Sequence, residues 1–302
     1  MYQSFFSLTR QPFSVMPDPD FLFLSHCHQE AVAHLTYGLE ANGGFVVLTG
    51  DTGTGKTMIC HYLLNDMNDD TDVAFLLNPP ASDVEILAEI CDNFNIDYGV
   101  STDLVSVKKC FDALSSWMLS NHSLGRKAVV LIDEAQQLSF ELLEQLRLLT
   151  NIESDNQKPL QIILIGETQL QDTLQKNELR QLAQRITAQY HLQPLSQQES
   201  LFYIRHRLNI AGAKAPLFDE KALQKIAQLS GGIPRTLNQL SDKCLLSAST
   251  KMVGKVSMAI VKQVEQESDL SLMKEDKNKR VQGVLAVTLV AVVIFNIIQY
   301  LG

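Results

Sequence analysis

The sequence predicts an α/β fold: a parallel sheet with helices on both faces, followed by a smaller all-α domain. Three features carry this expectation. Short continuous apolar runs alternate with segments of helical periodicity through the first part of the chain, these runs stop near residue 193, and only helical patterns follow. Apolar runs without alternation suit strands buried on both faces, and strands that alternate with helices imply a parallel sheet.

The elements follow in order. Residues 1–25 are aromatic and punctuated by Pro12, Pro17 and Pro19, which forbid a continuous helix. The expectation there is an extended arm that packs Phe13, Phe21 and Phe23 onto the core. Residues 28–41 have helical spacing, with Ala31, Leu35 and Leu39 on one face. "GGFVVLT" (43–49) is a glycine turn leading into a buried strand, "GDTGTGKT" (50–57) follows at once, and "MICHYLLNDM" reads as a helix. Strand 72–78 precedes helices at 83–94 and 105–119. "KAVVLIDEAQ" (127–136) is a buried strand ending in two acids, 140–152 a helix with a leucine stripe, and 160–167 the last strand read. From Ser196, an N-cap candidate, helices are expected at 196–212, 219–232 and 234–250, with a last piece near residue 260. The expected division is a nucleotide-binding domain with its arm at 1–192, a helical lid at 193–267, a charged linker at 268–280 and a transmembrane helix at 281–301.

Composition sets the outer limits. The chain has 302 residues, 45% apolar and 20% charged, an ordinary globular mix that argues against disorder as the main state. A net charge of -9 gives no global attraction to nucleic acid, which is not an expected partner. Five cysteines, none in CxxC spacing, indicate neither a disulfide framework nor a zinc site; they read as buried small residues in a reducing compartment. His26, Cys27 and His28 sit together, but no second ligand cluster supports a metal site. The start has no signal-peptide pattern.

Two motifs carry chemistry. "GDTGTGKT" fits G-x-x-x-x-G-K-[ST] and lies between a strand and a helix, the context a phosphate-binding loop requires. Gly50, Asp51, Thr52, Gly53, Thr54 and Gly55 would curl so that backbone N–H groups meet phosphate oxygens at the helix N-terminus. Lys56 would neutralise the β- and γ-phosphates, and Thr57 would ligate Mg²⁺. The second motif is Asp133-Glu134 at the end of a buried strand, where open α/β sheets face their ligand crevice. Asp133 is placed to hold Mg²⁺ and Glu134 to polarise the attacking water. No guanine-reading NKxD tetrapeptide occurs, so ATP is favoured over GTP. Arg180 and Arg185 lie in "NELRQLAQRITAQYHL", where either would be a surface charge or a contact to a neighbouring subunit's γ-phosphate. Arg235 follows a Gly-Gly-Ile-Pro turn at a helix start and would reach back over the site.

The run from Val281 to Leu301 has no charged residue and no polar face. As a helix it would be about 30 Å long, the thickness of a bilayer core. Lys274, Lys277, Lys279 and Arg280 precede it, which would place the nucleotide domain on the cytoplasmic side of a single-pass protein.

Taken in order, the loop, "IDEAQ", "LRQLAQRIT" and "SGGIPR" resemble an AAA+ ATPase. The opening "FFSLTRQPFSVMPDPDFLFLSHCHQEAVAHLTYGL" narrows the resemblance to the ExeA/GspA/MshM group, the ATPases of type II secretion and MSHA pilus biogenesis. It covers about residues 1–266. It implies ATP and Mg²⁺ as ligands, Lys56 and Thr57 in the first nucleotide motif, and Asp133 and Glu134 in the second. Arg185 falls at the arginine-finger position, with Arg180 the alternative, and Arg235 at the second-sensor position. A homo-oligomer follows from the finger analogy, and inner-membrane or envelope assembly proteins from the group. The short tail, with no room for a periplasmic peptidoglycan-binding domain, favours the MshM type. Glu167 departs from the neutral first-sensor residue usual in the family, with Thr168 as a substitute. Two other functions stand beside this one: a DNA-associated regulator of the transposition or origin-binding type, and an ATP-binding scaffold with little hydrolysis.

Overall fold

The computed structural model describes residues 2–16, 18–40, 43–80, 82–99, 106–152 and 159–267. Its centre is a five-stranded parallel sheet ordered β2-β3-β4-β1-β5, from β1 (Gly44–Gly50), β2 (Thr71–Leu76), β3 (Lys127–Ile132), β4 (Leu160–Gly166) and β5 (Ile186–Leu192). The apolar runs alternate faces as pleating requires. Phe45, Val47, Val130, Ile132 and Ile162 enter one core with α4 (Asp83–Asn93), α5 (Val107–Ser123) and α6 (Phe140–Leu149). Val46, Leu48, Val129, Leu131 and Ile163 enter the other with α2 (His26–Glu40) and α3 (Lys56–Asp66). Helices thus cover both faces, which is why the central strands tolerate no polar alternation.

One strand escapes the sequence reading. β5 carries Thr187, Gln189 and His191 between its apolar residues, because it is the sheet's edge and its outward positions meet water. Central-strand logic therefore passes over it. Arg185 sits in the turn between α8 (Arg180–Ala183) and β5, while Arg180 opens α8. The short helix α7 (Thr168–Leu174) completes this part of the molecule, while α1 (Tyr2–Phe5) packs on the helical core described next.

A third core is helical. It joins α9 (Gln197–Ile210), α10 (Glu220–Ser230), α11 (Pro234–Thr250) and a last helical run over 258–267. α9 starts at a capping box, in which the Ser196 hydroxyl accepts from the Glu199 N–H and the Glu199 side chain accepts from the Ser196 N–H. Such a start contributes about 1 kcal/mol. Pro234 opens α11, where its missing N–H costs nothing. Phe13 and Phe21 of the arm are buried here, with Phe23 packed against them, so the arm docks on the helical core rather than on the sheet.

All five cysteines are free thiols, and Cys60, Cys91, Cys110 and Cys244 are buried. Among the described residues no group of three or more His, Cys, Asp or Glu is placed to hold a metal ion, and no helix is long and apolar enough to cross a membrane. The expected linker (268–280) and membrane helix (281–301) lie outside the described residues.

Candidate functional site

The carboxyl end of β1 turns directly into the loop that starts α3. Gly53 (φ 85°) and Gly55 (φ 110°) occupy left-handed conformations that other residues strain to adopt. Space forbids side chains as well: a Cβ at Gly53 would lie 2.7 Å from Arg235 Cβ, and one at Gly55 would lie 2.8 Å from His28 Nε2. Lys56 is buried and folds back on the loop, its Nζ donating to the carbonyls of Gly50 (2.9 Å) and Asp51 (3.0 Å). Burial pushes the Lys56 ammonium below the ordinary lysine value, while the nearby carboxylates of Glu134, Glu167, Asp133 and Asp51 act in the opposite direction.

The second motif meets the first at the end of β3. The Thr57 hydroxyl donates to Asp133 Oδ2 at 2.8 Å, and the Glu134 N–H donates to Oδ1 at 2.9 Å. Burial raises the Asp133 carboxyl above its usual range, against these two hydrogen bonds. Glu134 takes a left-handed backbone (φ 54°), an uncommon state for a residue with a side chain and one that concentrates at functional sites. Its Oε2 accepts from Gln136 Nε2 at 2.6 Å. The Gln136 Oε1 accepts from the Glu167 N–H at 3.0 Å, which fixes the amide's orientation. Glu167 is itself tied to the loop, accepting the Thr52 hydroxyl. Thr168, the substitute first sensor, instead reaches Asp51 Oδ1 at 3.4 Å.

These groups open onto a cavity of about 370 Å³, within the usual range for a small-molecule site. Lys56, Thr57, Glu134 and Glu167 line it from the sheet, and Arg235 from the helical core. Arg235 is exposed, and its N–H donates to the Gly53 carbonyl at 3.2 Å, so helix α11 starts against the loop. Arg185 is not brought there. Its carbonyl accepts from Phe45 N–H at the opposite end of β1, and its guanidinium holds Thr150 (2.9 Å) and Asn151. Five residue steps along β1 separate Phe45 from Gly50, roughly 17 Å. Arg180 is exposed on α8, and its guanidinium makes no hydrogen bond with a described residue.

Sequence reasoning missed several contributors. His28 pins the loop. Its Nε2–H donates to the Thr54 carbonyl (3.1 Å), and its Nδ1 accepts the Ser25 hydroxyl (2.6 Å), an assignment that holds for the neutral ring. Burial lowers the His28 pKa from the ordinary 6.5. Above that value the ring is neutral in both states, and its contribution to stability is whole. As pH falls below it, the unfolded chain takes up a proton that the folded chain resists, so stability is lost. His28→Gln, which keeps a donor and an acceptor, should therefore lose less thermal stability than the parent between pH 7.5 and pH 5. Equal losses in scanning calorimetry would remove His28 as the cause. Gln136 was likewise unread, as were the arm residues Ser14, Val15 and Met16 that line the cavity.

Fold and loop together make an α/β domain of the kind that binds nucleotide phosphates, and residues 39–174 match the family model described as an AAA domain. The chain is similar to general secretion pathway protein A of Aeromonas hydrophila, with 48% identity over 264 residues. That match covers 86% of this chain and 48% of the relative, so the chain spans about half the length of the curated relative it matches. Among solved structures it resembles the ORC2 protein of Aeropyrum pernix (TM-score 0.63, 17% identity, 85% of this chain and 71% of that one). It also resembles Cdc6p of Pyrobaculum aerophilum (TM-score 0.64, 17% identity, 88% and 70%). At these identities the two structures share the fold alone.

Proposed function

We propose that the chain is a membrane-anchored ATPase that binds and hydrolyses ATP to drive assembly of an envelope complex of the secretion or type IV pilus kind. The observation that carries this is the convergence of three separate segments on one cavity: the loop with Lys56, the β3 end with Asp133 and Glu134, and the start of α11 with Arg235. The likeness to a general secretion pathway protein supports the envelope role.

The loop N–H groups, the α3 N-terminus and Lys56 bind the β- and γ-phosphates. Thr57 and Asp133 already hold two hard oxygen donors within 2.8 Å, a pair that fits Mg²⁺. Bound there, the ion would supply charge neutralisation for the phosphate oxygens. Glu134 accepts the proton of the attacking water once its carboxylate leaves the Gln136 amide. Arg235 reports phosphate occupancy to the helical core, and closure of that core excludes water. The arm and α9 wall the remaining part of the cavity, where the base lies. Arg185, facing away from its own loop, serves a neighbouring copy in a homo-oligomer. The run Val281–Leu301 anchors the assembly in an inner membrane with the ATPase on the cytoplasmic side.

ATP turnover by the full chain, with and without lipid vesicles, tests this reading against the Glu134→Gln chain. Turnover no greater than that of the variant in both conditions would leave an ATP-binding scaffold. Glu167 favours that second reading, since it brings another carboxylate to the phosphate end of the cavity. Glu167→Gln should accordingly tighten ATP binding by about tenfold, the relief of one like charge at partly screened range. Unchanged affinity in calorimetry would mean the carboxylate points its charge elsewhere. A DNA-handling role draws nothing from the origin-protein likeness, which shows fold alone, and the net charge of -9 opposes it.

A further inference from the structure

Arg207 on α9 is 6% exposed and makes no ion pair with a described residue. A buried cation without a counter-charge is costly unless other groups satisfy it. Here two of the three acceptors belong to the arm. Nε donates to the Pro12 carbonyl (2.5 Å), Nη2 to the Ser14 carbonyl (3.3 Å) and Nη1 to the Tyr203 hydroxyl (2.8 Å). The guanidinium carbon lies 4.7 Å from the Phe21 ring centroid. Only a planar fork donates in these directions at once while stacking on a ring. His206, one position earlier, holds the Leu22 carbonyl at 3.1 Å, and Phe23 packs on Tyr203. One face of α9 thus grips the arm at residues 12, 14, 21, 22 and 23. Just beyond, His28 ties the chain to the loop at Thr54.

The gripped segment lines the same cavity as the loop. The loop's chemistry accounts for phosphates. It leaves the arm side, with apolar Val15, Met16 and Phe21 and the backbone of Ser14, to meet whatever the phosphates carry. We propose that Arg207 is a positioning residue for base recognition: it holds the arm so that residues 14–16 and 21–23 form the wall against which the purine of a nucleoside triphosphate binds. Because Arg207 rides on α9, this wall moves with the helical core rather than with the sheet. The inference rests on the nucleotide reading of the cavity.

Titration calorimetry of the full chain in detergent, with ATP and with inorganic triphosphate, separates base from phosphate recognition. The parent chain binds ATP more tightly than triphosphate. Arg207→Met weakens ATP at least about tenfold and leaves triphosphate unchanged, and Arg207→Lys recovers part of the loss. At saturating ATP the Arg207→Met kcat stays near the parental value while KM rises. Parallel loss of both ligands, or no loss of either, overturns the proposal, as does equal binding of the two by the parent. A parent that binds neither would instead refute the nucleotide reading itself. Should Arg207→Met fail to fold, hydrogen exchange on the parent decides. ATP, but not triphosphate, should slow exchange at residues 13–16, and equal slowing by both would overturn the role.

Discussion

Glu134→Gln should bind ATP about as tightly as the parent and turn it over at least about a hundredfold more slowly, the scale of a lost general base. The change keeps volume and keeps an oxygen for the Gln136 amide, so the left-handed turn at residue 134 has no new reason to rearrange. It also removes a negative charge that acts on Lys56, so phosphate binding should if anything strengthen. A variant that merely misfolds would lose binding together with turnover. Phosphate release measured beside nucleotide affinity distinguishes the two. Turnover equal to the parent's would remove Glu134 from the chemistry and shift attention to Glu167, the other carboxylate at the cavity.

A chain ending at residue 280 should leave the membrane entirely on carbonate washing, while the full chain stays. In the proposed anchor, a helix over the charge-free run 281–301 would span about 30 Å of bilayer, which alkaline washing does not release. The truncated chain should keep its ATP affinity. Among the described residues, the sheet cores and the helical core draw their buried residues from positions up to Val264. Should both chains pellet, the membrane contact lies in the ATPase body; should both stay soluble, the anchor is wrong.

Legibility in the sequence followed burial and spacing. Phe45–Leu48, Val129–Ile132 and Ile162–Ile165 are buried on both faces, so their runs carry no polar interruption and read at once as strands. Ile186–Leu192 has one side on solvent, and its Thr, Gln and His disguise it. The loop at 50–57 was readable because its motif fixes residue types at adjacent positions between a strand and a helix. The Asp133-Glu134 pair was readable because a buried strand points it. His28, Gln136 and Arg207 gave no such signal. The Thr54 carbonyl lies 26 residues from His28, and the Pro12 carbonyl 195 residues from Arg207, and a backbone carbonyl has no residue type to betray it.

By itself, then, the sequence determined the parallel α/β class, the order of the central strands along the chain, and the residues poised at the loop and at the β3 end. Those follow from local periodicity and from chemistry carried by neighbours. Only the tertiary structure decided that the arm docks on the helical core, that His28 braces the loop, and that Arg185 stands at the far end of the sheet from its own loop. Each of these depends on which distant segments share a surface. That is set by the packing of whole faces against one another, which no local pattern of residues encodes.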